Sequence, residues 1–124
     1  MKYGLFMMPS HPPERNIYDA HQWDLDYLTL CDSLGYDEAW IGEHFTSPWE
    51  PIPAPDIMIA QALMRTKRMK LGTGVHLLPY HHPAELAHRI AYPPSLRPCS
   101  GRRSELQVLA ETARFERARE LNAP

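Results

Sequence analysis

An α/β fold built on a parallel sheet is what this chain predicts, and three observations predict it. Short apolar runs recur at residues 2–8, 37–42 and 69–78. Each is followed by a loop and then by a segment with helical spacing. Proline and glycine punctuate the joins. Strands that alternate with helices argue for parallel strands with the helices packed outside them.

Taken in order, residues 2–8 read as a continuous apolar strand, the kind buried on both faces. Ser10-His11-Pro12-Pro13 forces a loop. Over residues 17–34, Ala20, Trp23, Tyr27, Leu30, Cys31 and Leu34 recur at helical spacing, with Asp19, Asp24 and Asp26 toward the other side. Gly35 suits the position just past that helix. Asp37–Gly42 is the second strand, and residues 46–55 form a proline-rich loop longer than most βα connections. Asp56 is a natural N-cap for a second helix running to about Arg65, whose basic end suits the helix dipole. Met69–Leu78 is the third strand, with Gly72 and Gly74 inside it. Pro79–His82 is a loop, and Pro83 opens a third helix that reaches about Tyr92.

Bulk properties exclude several classes. A chain of 124 residues argues for one domain, and 44% apolar residues can build a core. A formal charge of −2 gives no electrostatic case for nucleic acid or an anionic membrane. No apolar run approaches a bilayer span. The first residues lack a small-residue cleavage site and read as a strand, not a signal peptide. Two cysteines, Cys31 and Cys99, are too few for a disulfide scaffold, so a reducing cytoplasm is expected.

The stretch Ala39-Trp40-Ile41-Gly42-Glu43-His44-Phe45 carries the chemistry. A buried run ends in a carboxylate and an imidazole. The C-terminal ends of parallel strands are where α/β folds build their sites. Histidine titrates near neutral pH, which suits a general acid or base. A solvated strand end is the plain alternative. His76, His81, His82 and His88 raise a metal site, but no fixed spacing supports one, and loop histidines are the favoured reading. Met7, Met8 and Trp23 read more simply as core.

Residues 1–92 resemble the N-terminal third of the bacterial-luciferase-like, flavin-dependent monooxygenases, and of the limonene-monooxygenase-like members in particular. The resemblance rests on Lys2–Pro13, Asp37–Phe45, Ala54-Pro55-Asp56 and Leu71–Pro83, in order and in register. It implies the first three βα units of a TIM (β/α)8 barrel, a fold of about 250 residues. It also implies reduced FMN, or in a minority of branches a deazaflavin, at the C-terminal mouth. Oxygen from O2 would enter a small hydrophobic organic substrate, with a separate flavin reductase supplying the reduced cofactor. By the same resemblance His44 is the flavin-side histidine and Glu43 its neighbour, orienting it or lining the wall. Gly74-Val75 matches a position where the family often has a cis non-proline peptide against the flavin ring. Met8 and His76 join Gly74 and Val75 as candidate cofactor contacts. Ser10, His11 and Trp49 lie on loops facing the same mouth and are candidate substrate contacts.

After Tyr92 the text changes. Six arginines and no lysine follow it, and Pro93-Pro94-Ser95 stands where the family continues with an Asp-x-x-Ser-x-Gly-Arg segment. Residues 93–124 are therefore expected to be a divergent Pro/Arg-rich linker and helix (with Ser104 and Gln107 as a capping box) on a truncated or frame-shifted chain. The other two reading frames of the encoding DNA check this. A three-stranded piece of barrel has open edges and is expected to self-associate. The competing reading is a non-catalytic fragment or interaction module.

Overall fold

Alternation along three short strands decides which way the sheet faces. In the computed structural model, which describes residues 1–91, β1 (Gly4–Met7), β2 (Glu38–Ile41) and β3 (Lys70–Thr73) pair in parallel in the order β1-β2-β3. Phe6, Trp40 and Gly72 share one row, and Met7, Ile41 and Thr73 the next. Side chains in adjacent rows point to opposite faces. Met7, Ala39, Ile41 and Leu71 are buried against the helices. Phe6 and Trp40 lie on the other face, where the Trp40 ring covers Gly72 and the Phe6 ring covers Gly74. A Cβ on either glycine would sit 2.8 Å from those rings, so glycine is what lets them lie on the sheet.

Three helices cover the buried face: α1 (Ile17–Leu34), α2 (Pro55–Leu63) and α3 (Pro83–Ala91), with a 3₁₀ turn at Leu78–Tyr80. Leu25, Leu28 and Cys31 of α1 meet Met58, Ile59, Ala62 and Leu63 of α2, together with Met69, Leu86 and Ile90. Asn16 caps α1 by accepting from the Tyr18 amide, and Gly35 ends it in the left-handed region, as its sequence position predicts. No helix among the described residues is long and apolar enough to cross a membrane.

Several elements depart from the sequence reading. The strands are four residues each, shorter than the apolar runs that announced them. The first is not covered on both faces among the described residues, since Phe6 is 60% exposed. The buried side of α1 is rotated from the expected one: Trp23, Leu30 and Leu34 are exposed, whereas Asp24 and Asp32 are buried. Both carboxylates have work on that side. Asp24 pairs with His11, and Asp32 accepts from the amides of Lys67, Arg68 and Met69, closing the α2–β3 turn. Asp56 is not the N-cap of α2. Ala54 holds that position without a side-chain bond, and Asp56 instead takes a two-pronged pair of 2.9 Å bonds from Arg89 of α3. The expected linker and helix over 93–124, with the capping box at Ser104, lie outside the described residues.

Candidate functional site at the strand ends

All three strands deliver their C-terminal ends to one side of the sheet, as parallel pairing requires. The chain beyond them is pinned by backbone bonds. Gly42 N–H donates to the Met7 carbonyl and Gly74 N–H to the Ile41 carbonyl, extending the ladder past the strands. The proline-rich loop folds back over the same end. The His11 amide donates to the Trp49 carbonyl at 2.8 Å, and the His44 amide to the Ile52 carbonyl at 3.0 Å. Thr46, in that loop, has φ 59, a left-handed conformation uncommon for a β-branched residue.

Glu43 and His44 separate here. Glu43 continues the row parity of Ile41, and its side chain is fully buried. Its Oε2 accepts from the Leu77 amide at 2.7 Å and from His76 Nδ1 at 3.1 Å. Its Oε1 accepts from His81 Nε2 at 2.5 Å. Glu43 thus ties the segment after β3 to the end of β2. Burial pushes His76 below its ordinary value, against the pull of the Glu43 carboxylate. His76 is neutral at neutral pH, with Nδ1 carrying the proton it gives to Glu43 and Nε2 buried without a partner.

His44 turns the other way. A Cβ on Gly42 would lie 2.9 Å from His44 Nε2 and 2.8 Å from Met8 Sδ, so the imidazole and the thioether share the space above that glycine. This is the face that carries Phe6 and Trp40. His44 Nε2 is buried and has no partner. Its Nδ1 stands 3.1 Å from Oε2 of Glu50. The carboxylate beside His44 is thus that of Glu50, which the sequence reading did not single out, while the polar partners of Glu43 are His76, Leu77 and His81.

The remaining candidates divide. Met8 and Val75 are both exposed, and Met8 lies over Gly42 on the open face. The Gly74–Val75 peptide is cis, as the family resemblance implies. His76 is enclosed in the Glu43 cluster. His11 is buried on Asp24 at 3.0 Å, with the Trp23 ring edge-on to it, so it braces the first loop against α1. Burial pushes Asp24 above its ordinary value, and the hydrogen bond from His11 offsets only part of this. Ser10 and Trp49 are exposed at the rim. Phe45 and Tyr80 make a ring contact there at 5.2 Å.

Glu43, His76 and His81 each present a donor atom within 4.8 Å of the others, which raises a cation site. Against it, both carboxylate oxygens already accept N–H donors, and the 2.5 Å approach of His81 is a hydrogen-bond distance, shorter than two ligands of one ion normally allow. The cluster reads as a hydrogen-bonded anchor.

Three parallel strands in the order β1-β2-β3, helix-covered on one face, with the candidate residues at their C-terminal ends, match the first units of a (β/α) barrel. Residues 1–92 match the family described as "Luciferase-like monooxygenase", and the chain belongs to that family. It is 42% identical over 89 residues to the 4-hydroxyprotoasukamycin monooxygenase of Streptomyces nodosus subsp. asukaensis, covering 72% of this chain and 24% of that protein. It is 40% identical over 88 residues to the limonene 1,2-monooxygenase of Rhodococcus erythropolis, covering 71% and 23%. Among solved structures, the oxygenating constituent of 3,6-diketocamphane monooxygenase from Pseudomonas putida, in complex with FMN, superposes with a TM-score of 0.73 at 37% identity, covering 77% of this chain and 26% of that one. The chain spans about a quarter of the length of the curated relatives it matches.

Proposed function

We propose that this chain supplies the His44 side of a flavin-dependent monooxygenase site. The observation that carries the proposal is the buried, unpartnered His44 Nε2 above a glycine, on an apolar sheet face. That face fits a planar flavin ring. Met8, Phe6, Trp40 and Val75 make it apolar, and Gly74 lets the backbone approach closely. Met8, Gly74 and Val75 would hold the ring, with His76 fixing the segment behind them. When bound, reduced FMN supplies the electrons that activate O2, so that one oxygen atom enters a small hydrophobic substrate.

The chain's own residues do the rest. The apolar face excludes water from the ring. His44 Nε2 takes up or returns a proton there. Glu43 holds the Gly74–Leu77 segment in place through its bonds to His76, Leu77 and His81. Ser10 and Trp49 stand at the rim where substrate would enter. Relatives named as an "oxygenating constituent" and an "oxygenase component" support a separate flavin reductase as the partner. Cys31 is buried with its thiol pushed up by burial, which fits a structural thiol in a reducing compartment.

Titration of the purified chain with FMN, read by flavin fluorescence, tests the proposal. Saturable quenching is expected, and Val75→Glu, at an exposed position, is expected to weaken it at least about tenfold, because a carboxylate would face the apolar ring. Quenching that never saturates, or that V75E leaves unchanged, overturns it.

A further inference from the structure

We infer that Glu50 is the positioning residue for His44, holding the ring proton on Nδ1 so that Nε2 keeps its lone pair in the space above Gly42. The inference rests on the reading of His44 just given. Three observations carry it. The Glu50 carboxylate lies 3.1 Å from His44 Nδ1, and a negative charge beside one ring nitrogen draws the proton to that nitrogen. The loop that carries Glu50 is tied down on either side of it, because the carbonyls of Trp49 and Ile52 accept the amides of His11 and His44. Those bonds fix the backbone on both sides of Glu50. Finally, Nε2 has no partner of its own among the described residues, and Met8 Sδ, which shares the space above Gly42 with it, offers it no proton.

The arrangement is a base oriented by a carboxylate, in which the carboxylate never meets the substrate. It gives the proline-rich loop a definite task. Its length lets the chain leave β2, turn at Thr46 and return Glu50 to the ring at the end of the same strand. The tautomer matters because the opposite one would put an N–H in the space above Gly42 and leave Nδ1 as an acceptor against a carboxylate.

The test is the nitrogen-15 spectrum of the histidine rings in the full chain, recorded without flavin at alkaline pH, with His44→Gln assigning the resonance. The expected result is a His44 ring protonated on Nδ1. Glu50→Ala should lose that preference, and so should Glu50→Gln, which keeps the size of the side chain and removes its charge. Leu77 amide exchange, unchanged in both variants, reports that the Glu43 anchor is intact. A native His44 protonated on Nε2, or a Nδ1–H form indifferent to E50A, overturns the inference. Because no flavin is present, its failure is separate from a failure of FMN binding.

Discussion

Glu43 and His44 are consecutive in the chain and share no partner. The first is fully buried and accepts three N–H groups from the segment after β3. The second lies against Glu50 and places its free nitrogen above Gly42. The division continues the period-two alternation of β2, in which successive side chains leave on opposite faces. One residue holds the framework and the other meets the open face.

The framework role predicts a stability effect. Removing a buried carboxylate leaves its donors unsatisfied, which costs about 1–3 kcal/mol for a buried donor. Glu43→Ala is expected to lose stability on that scale in urea denaturation, with faster exchange at the Leu77 amide. Gln at this position keeps one acceptor and should lose less. If E43A melts like the native chain, Glu43 is not the anchor described.

The same cluster predicts a pH dependence. His76 has its folded value lowered below the usual 6.5 by burial. Between the lowered value and 6.5 the unfolded chain binds more protons, so stability falls as pH drops below about 6.5 and levels off beneath the folded value. Replacing His76 with Gln should flatten that part of the stability–pH curve. An unchanged slope would assign it elsewhere.

At lower pH two aspartates of α1 oppose each other. Burial alone would raise Asp32, but the amides of Lys67, Met69 and Arg68 outweigh it and hold it below its ordinary value. Its contribution is present above an unfolded value near 3.8 and is lost as pH falls through the folded one. Asp24 is raised by burial, with Oδ2 lacking a partner, so its charge costs stability at neutral pH, and acid relieves that cost. Asp32→Ala should therefore lose about 2–3 kcal/mol near neutral pH, the scale of a hydrogen bond to a charged group. Asp24→Asn should lose the compensating gain and fall more steeply in acid. Acid titrations of both variants by circular dichroism check the signs.

Much of the fold was legible because it is written in local patterns. Three apolar runs, their glycine and proline punctuation, and the Gly35 stop mark the βα order without reference to distant residues. The buried side of α1 was not legible. Asp24 and Asp32 look like solvent-facing residues until His11 and the Lys67–Met69 turn, remote in sequence, come to meet them. His44 was singled out as a candidate from its place at a strand end. Glu50 was missed because its contact depends on how a ten-residue proline-rich loop returns, and no periodicity encodes that return.

The open face gives the last prediction. Phe6 and Met8, on the open face, are 60% and 41% exposed, and Val75 at the end of β3 is 45% exposed. Among the described residues, the outer edges of β1 and β3 pair with no other strand. Unpaired edges beside apolar surface template association between chains. Sedimentation of the 124-residue chain should show a mean mass that rises with concentration. Phe6→Lys should shift it toward monomer, because a charge on the face opposes stacking while the helix-side core, which holds Met7 and Ile41, is untouched. Salt distinguishes the two contributions. Apolar burial strengthens in sulfate, whereas repulsion between the introduced lysines is screened within a Debye length of about 10 Å at 0.1 M. High sulfate should therefore restore association of F6K, and a native chain that stays monomeric at every concentration would show that this face is covered in solution.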